Sequence, residues 1–374
     1  MRIGIDGRYA FRRERRGIGE YVAQLLLQYD NRDDENEYVV YVDRQAEVSA
    51  MRLSSKFRVV RLDVANPLLF EEVFLPLAAA RDNLGVLHLT SNYGPTWASC
   101  PTVYTVQDLI EFLRGEIGPW QIDWRHRMGR AIRQRTLPIQ IRQARMVIVP
   151  SQATERDIVR VIGISDQKIR VIPYGAPAIS PAEDTERLRV ELRGRGYSVP
   201  DRYFLMFAAM DPRKNSTLAI EAFRRVASEF DAVELWMIGI EDLKGYPRCN
   251  VPRVRRFGYL PRADVVDLLR AASAFVFPSR YEGFGFPALE AMKAGVPVLA
   301  SNSSSVPEVV GDTAFTFCPD DVEQLARGMR EVLTGTREVE ARRLAALRRA
   351  QLFDWRRTAA EHLDVYQTAG RVLP

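Results

Sequence analysis

The sequence predicts an α/β protein made of two doubly wound domains in tandem, and three observations carry that reading. The first is length: 374 residues exceed the size at which one core stops growing, so two domains of about 180 residues are expected. The second is composition. With 47% hydrophobic and 27% charged residues, the chain can fill two cores and is not a disordered polymer. The third is the alternation of short apolar runs with helix-length segments, which implies parallel sheets with helices on both faces.

In the first half, Ile3-Gly4-Ile5 and the stretches 38–42, 59–60, 86–89, 103–106 and 146–149 read as strands. Residues 19–29, 70–80, 122–144 and 153–162 read as the helices between them. A turn rich in proline and glycine at 171–177 closes this unit. The expected first domain is therefore 1–177, followed by a polar linker at 178–201 with a short helix. The pattern restarts with strands at 203–207, 233–238, 254–257, 275–277 and 296–300 and helices at 217–230, 263–272 and 288–294. Helical stretches at 322–333 and 338–352 complete a second domain at 202–352. A last helix within 353–374 carries Trp355, Leu363 and Tyr366, apolar anchors for packing back on the first domain. Ligands of doubly wound sheets bind beyond the carboxyl ends of the strands, so a site is expected in a cleft between two such domains.

Several function classes are disfavoured. Cys100, Cys249 and Cys318 are widely separated and odd in number, which argues for a reducing compartment and against a disulfide scaffold. No cysteine pair has metal-ligand spacing and His88, His126 and His362 do not cluster, so no metal is expected. The start Arg2-Ile3-Gly4-Ile5-Asp6 reads as a strand rather than a signal peptide, and no apolar run has the length of a membrane span. A cytoplasmic location is the expectation. The formal charge is only +5, and no helix-turn-helix or zinc-module pattern accompanies the arginines, against nucleic-acid binding. Arginine is locally dense: Arg12, Arg13, Arg15 and Arg16 surround one loop, and Arg125, Arg127, Arg130, Arg133 and Arg135 load one helix beside Trp120, Trp124 and His126. That helix reads either as an edge for an anionic membrane surface or as a solvated, helix-packing face. His88 reads as a packed strand residue.

The chemistry concentrates in the segment from Pro278 to Glu290. A strand runs into a turn, Ser279-Arg280-Tyr281-Glu282-Gly283-Phe284-Gly285-Phe286, and Pro287 opens a helix as its first residue. Unpaired helix amides can hold an anion, while Glu282 and Glu290 offer acceptors to neighbouring hydroxyls. The ligand that fits is a polyhydroxylated phosphate ester, although an ordinary turn with two solvated glutamates has the same letters. Asp211-Pro212-Arg213-Lys214-Asn215 follows another strand of this domain, so Arg213 and Lys214 are candidate clamps for a departing diphosphate rather than plain surface charges. The glycine spacing of a P-loop is absent. Tyr259 follows a third strand and offers a flat apolar face to a base, or simply a half-buried loop entrance. In the first domain Gly17-Ile18-Gly19 opens the first helix, where it suits a diphosphate or a plain turn equally. Gln107 and Asp108 end a central strand. Asp108 can orient a loop or take an acceptor hydroxyl, and Gln107 can hydrogen bond without titrating.

These residues together resemble the family 4 retaining glycosyltransferases. Glu282 to Glu290 matches the family's Glu, seven residues, Glu motif, and Ala291-Met292-Lys293-Ala294-Gly295-Val296-Pro297-Val298, Val306-Pro307-Glu308-Val309, Asp211 to Asn215 and Gly17-Ile18-Gly19 match as well. The resemblance implies the GT-B architecture, two facing Rossmann-like domains with a cleft between them. It implies Gly17, Gly19, Arg213 and Lys214 as donor-phosphate contacts, and Glu282 with the Phe284, Gly285 and Phe286 backbone as contacts to the donor sugar. Glu290 is implied as the ribose-binding carboxylate, with Leu289 near the nucleoside. It also implies a nucleoside diphosphate sugar as donor, no cofactor, no divalent ion in the chemical step, and retention of anomeric configuration. Two departures stand out: Gln107 where many relatives carry histidine, and Phe207-Ala208-Ala209-Met210 where relatives carry Gly followed by Arg or Thr. The expected function is transfer of a hexose or 6-deoxyhexose to a saccharide or lipid-linked saccharide acceptor, as in assembly of a bacterial surface glycan, at the inner face of the cell membrane. The alternative is a catalytically silent scaffold subunit, which the two departures keep open.

Overall fold

The computed structural model describes residues 1–13, 15, 17–32, 34–117, 124–241 and 251–371, with the backbone alone for 114–117 and 124–128. Two compact units emerge. One holds nearly all of the chain up to Gly175 together with the segment from Asp354 onward, and the other holds Ala176–Phe353.

The first unit is built on β1 (Arg2–Asp6), β2 (Glu37–Val42), β3 (Phe57–Arg61), β4 (Val86–Leu89), β5 (Thr102–Thr105), β6 (Met146–Val149) and β7 (Ile169–Val171). They form one sheet in the order β3-β2-β1-β4-β5-β6-β7, and every pairing is parallel, with Ile5 between Val40 and His88. The second unit repeats the plan with β8 (Arg202–Phe207), β9 (Val233–Ile238), β10 (Val254–Phe257), β11 (Ala274–Phe277), β12 (Val298–Ser301) and β13 (Phe315–Phe317), again all parallel, in the order β10-β9-β8-β11-β12-β13. In each sheet the order reverses beside the unit's first strand, between β1 and β4 and between β8 and β11. Crevices of doubly wound folds form at such reversals.

Strands covered on both faces read as unbroken apolar runs rather than alternating ones. Ala274-Phe275-Val276-Phe277 is such a run and is entirely buried. Around it the second unit's core packs Met206, Phe223, Leu235, Met237, Leu299, Leu325 and Met329. Helix ends follow local chemistry. Ser151 Oγ accepts from Thr154 N to start the helix Gln152–Ile162, which stops at Gly163 in the left-handed region. Asp321 and Gly335 do the same for Val322–Thr334.

Departures from the sequence expectation are local. The stretch 70–80 begins earlier and is interrupted: Pro67–Leu69 and Leu75–Arg81 are α-helical, while Phe70–Phe74 is a π turn. Pro76 lacks the N–H that would close a regular turn on the residue four before it. Helices Ile110–Ile117 and Val306–Val310 and the short strands β7 and β13 are additional elements. They are too brief to show a period of their own. Of the arginine-rich helix, Trp124–Gln143 in the structure, Trp120 and the side chains of Trp124, Arg125, His126 and Arg127 lie outside the described residues, as does Arg16. Arg133 turns inward, 3.5 Å from Glu111 and over the Tyr93 ring. No helix among the described residues is long and apolar enough to cross a membrane.

The C-terminal helix Trp355–Gly370 packs on the first unit's sheet and on the helix Ile18–Asp30. Trp355 meets Tyr21 and Tyr174, while Leu363 and Tyr366 are buried. Underneath runs a buried polar chain. His362 Nδ1 is 2.7 Å from the Thr358 carbonyl, which can only accept, so that nitrogen is the donor and Nε2 accepts from Tyr21 Oη at 2.8 Å. Tyr21 then accepts from Thr105 Oγ1, which accepts from His88 Nε2 at 2.7 Å. His88 Nδ1 accepts from Tyr366 Oη at 2.6 Å, and Tyr29 donates to Tyr366. A single donor direction satisfies every member. His88 is thus a packed strand residue, as expected.

Candidate functional site

At the reversal of the second sheet, the loop after β8 and the loop after β11 lie side by side. Asp211 Oδ1 accepts from Arg213 N at 2.8 Å and Pro212 opens a short 3-10 turn, which presents Arg213 and Lys214 on one side. Arg280 N then bonds the Arg213 carbonyl at 2.8 Å, tying the two loops together. Glu282 receives both cations: Lys214 Nζ lies 2.8 Å from Oε1 and Arg213 Nη1 lies 2.7 Å from Oε2. Arg213 also pairs with Asp211 at 3.1 Å. Glu282 is buried, and burial alone would raise its carboxyl; Lys214 and Arg213 overcome that and hold it down at about 2. It is therefore a carboxylate at every physiological pH, and it fixes the two cations in place.

The backbone of this loop is held from the end of β12 and the turn that follows it. Ser301, Ser303, Ser304 and Ser305 donate their hydroxyls to the carbonyls of Ser279, Arg280, Glu282 and again Glu282, and Ser305 reaches Phe284 O at 2.8 Å as well. Sequence reasoning did not assign these serines. The run Ser301-Asn302-Ser303-Ser304-Ser305 directly after a strand was the available signal. Gly285, at φ 115°, then turns the chain into the helix Phe286–Lys293, where Pro287 is the second residue rather than the first. Phe284 is buried against Phe286 and Phe353. Leu289 of this helix is fully buried and faces the core.

Glu290, one turn into the helix Phe286–Lys293, receives the fork of Arg262, with contacts of 2.5 and 3.2 Å. Arg262 begins the helix Arg262–Ala271 just past Tyr259, a residue that is 74% exposed. Tyr259 is thus an open aromatic face rather than a half-buried one. Arg262 was not foreseen, because its pairing spans 28 positions.

The residues singled out in the first unit lie at the carboxyl ends of β1 and β5. Gly17, at φ 44°, precedes the helix Ile18–Asp30 and, among the described residues, a Cβ there would meet nothing within 4 Å, whereas a Cβ at Gly19 would sit 2.7 Å from the Tyr9 carbonyl. Gly19 therefore serves close packing within the protein. The nearby arginines are partly committed: Arg12 pairs with Asp43, and Arg8 is buried between Asp6 and Glu71. Gln107 is fixed at both ends of its amide. Its Nε2 donates to Thr90 O at 3.0 Å, its Oε1 accepts from Tyr174 Oη, and its backbone N–H bonds Asn92. Asp108 Oδ1 caps Ile110 N at 3.1 Å, the loop-orienting role. Among the described residues no His, Cys, Asp and Glu group has the arrangement of a metal site.

Two family models match in succession, glycosyltransferase family 4 over residues 15–178 and glycosyl transferases group 1 over residues 195–347. The chain belongs to the family 4 glycosyltransferases. Its two parallel sheets of seven and six strands are the two Rossmann-like domains of the GT-B fold. Serotype-specific mannosyltransferase WbdA of Escherichia coli is 32% identical to this glycosyltransferase-family chain over 219 residues, 55% of this chain and 25% of WbdA. The O-antigen chain mannosyltransferase B of Escherichia coli is 28% identical over 254 residues, 63% of each protein. The matches thus span less than two thirds of these relatives. The crystal structure of HepE from Anabaena in complex with UDP-glucose shares the fold with a TM-score of 0.69 and 17% identity, over 97% of this chain and 99% of that one.

Proposed function

We propose that this family 4 glycosyltransferase moves a hexose or 6-deoxyhexose from a nucleoside diphosphate sugar to a saccharide or lipid-linked saccharide, with retention of configuration and without a metal ion. The observation that carries the reading is the convergence of Lys214 and Arg213 on Glu282 beside the helix Phe286–Lys293. A diphosphate leaving group needs fixed positive charge, and these cations are held in position before any ligand arrives. Each Glu282 oxygen accepts from one cation and keeps a lone pair for a sugar hydroxyl. Glu290, steadied by Arg262, takes the ribose diol, with Tyr259 beside the base. Gly17 in the first unit leaves room for a phosphate, and Asp108 holds the loop beside the acceptor.

In the reaction the acceptor oxygen attacks the anomeric carbon from the side of the leaving group. The bond from that carbon to the diphosphate oxygen breaks, and the acceptor proton passes to the departing diphosphate. Gln107, engaged at both ends, positions Thr90 and Tyr174 rather than moving a proton. The mannosyltransferase names of the relatives and the UDP-glucose held by HepE support a sugar-nucleotide donor, and they favour an enzyme over a silent scaffold. The working site is taken to be the cytoplasmic side of a membrane that carries the acceptor. The test is a panel of nucleotide sugars with lipid-linked saccharide acceptors and EDTA present, product configuration being read by proton NMR. Lys214→Ala should keep the fold and lose about 10²–10³ in kcat. An inverted product, dependence on a metal, or undiminished turnover of Lys214→Ala overturns the scheme.

A further inference from the structure

A groove of about 1130 Å³ opens on the first unit at the amino ends of β5, β6 and β7, the sheet edge opposite to Gln107 and Asp108. Its lining contains no Asp or Glu but three cations, Arg145, Lys168 and Arg371. None of the three forms an ion pair with a carboxylate among the described residues. Among the described residues Lys168 Nζ bonds only a carbonyl, that of Arg142, at 2.8 Å. Burial, and after it the neighbouring Arg145 charge, push the Lys168 ammonium below its ordinary range.

The remaining lining is not that of a simple anion hole. Trp97, 47% exposed, has its ring orientation fixed by the indole N–H bond to Glu72 O at 3.2 Å, and it walls one side. Gln143 and Gln167 add amides that both donate and accept. Gln140, only 4% exposed, donates to Gly94 O and leaves Oε1 without a partner among the described residues, an acceptor that calls for a hydroxyl or water. An aromatic face, amides and uncompensated cations together match a chain of sugar rings that bears negative charge. The volume exceeds the upper figure of about 1,000 Å³ for drug-sized ligands, so an oligomer fits.

We propose that this groove is a second, non-catalytic binding site for an acidic oligosaccharide, through which the protein holds glycan away from the transfer site. The test is calorimetric titration with hexagalacturonate, with maltohexaose, inorganic pyrophosphate and phosphatidylglycerol vesicles as comparisons. Hexagalacturonate should bind saturably, and Arg145→Ala with Lys168→Ala should weaken it about ten-fold or more, as the loss of two charge-assisted contacts requires. Trp97→Ala should weaken it too, while UDP affinity and thermal midpoint stay as in the wild type. Absence of saturable hexagalacturonate binding, equal affinity for maltohexaose, affinity that survives the double substitution, or indifference to Trp97→Ala would each overturn the proposal. Binding of vesicles or pyrophosphate without hexagalacturonate would reassign the groove to lipid headgroups or to simple anions.

Discussion

Glu282 sets the electrostatics of the second unit's site, because two cations that would repel each other share its two oxygens. Glu282→Gln leaves Lys214 partly buried without its counter-charge and leaves Arg213 with Asp211 alone. The expected cost is on the order of 1–3 kcal/mol in urea unfolding, with a loss of turnover larger than the stability loss explains. The carboxyl is depressed to about 2, so its contribution is fully present above the ordinary glutamate range. It is lost as pH falls from about 4.5 through 2, and the acid limb of the unfolding curve should flatten in that window in the variant. Glu290→Gln keeps size but weakens the acceptor, and it should raise the Kd of a nucleoside diphosphate about ten-fold with little effect on stability, as titration calorimetry would read. Both glutamates were legible in the sequence from their spacing and the helix start between them. Arg213 and Lys214 were legible as cations at the same sheet edge, but their pairing with Glu282, and that of Arg262 with Glu290, was not. Glu282 meets Lys214 across 68 positions, and only the adjacency of β8 and β11 brings them together.

At the scale of elements, the C-terminal helix is held by the polar chain that runs from Tyr29 through Tyr366, His88, Thr105 and Tyr21 to His362. Burial drives His362 down to about 4 and, with His362 nearby, drives His88 well below its usual range. Both histidines are neutral in the folded protein. A depressed histidine stabilises above its unfolded value of about 6.5, and that contribution is lost as pH falls toward 4. His362→Gln should therefore lower stability at pH 7 yet reduce the slope of stability against pH between about 4 and 6.5 by up to one proton's worth, about 1.4 kcal/mol per pH unit. Tyr366→Phe removes the donor to His88 and the acceptor for Tyr29 at once, stranding two buried groups, and should cost on the order of 2–4 kcal/mol in chemical denaturation. The sequence signalled the apolar anchors Trp355, Leu363 and Tyr366. It signalled His88 only as a packed strand residue and not its link to His362, since a lone His in a strand and another in a helix, 274 positions apart, share no pattern that periodicity reveals.

For the whole molecule, the chain returns to its first unit after completing its second, so the segment from Asp354 onward belongs with residues far from it in sequence. Removing that segment should unfold the first unit, which loses the cover over Tyr21, Tyr29 and His88. The core of Ala176–Phe353 should survive. Differential scanning calorimetry would then show one transition lost and one retained, whereas an unchanged first transition would mean that the helix is dispensable. Alternation of apolar runs and helical periods was enough to determine an α/β chain of two doubly wound domains, and the spacing of Glu282 and Glu290 pointed to the family, because both signals repeat within a few residues. Strand order, the serine ladder on the loop after β11, the commitment of Gln107 to Thr90 and Tyr174, and the aligned tyrosine and histidine hydrogen bonds were decided only by tertiary structure. Each joins groups tens to hundreds of positions apart, and such pairings are fixed by burial and hydrogen-bond satisfaction in the assembled sheet, which no local run of residues encodes.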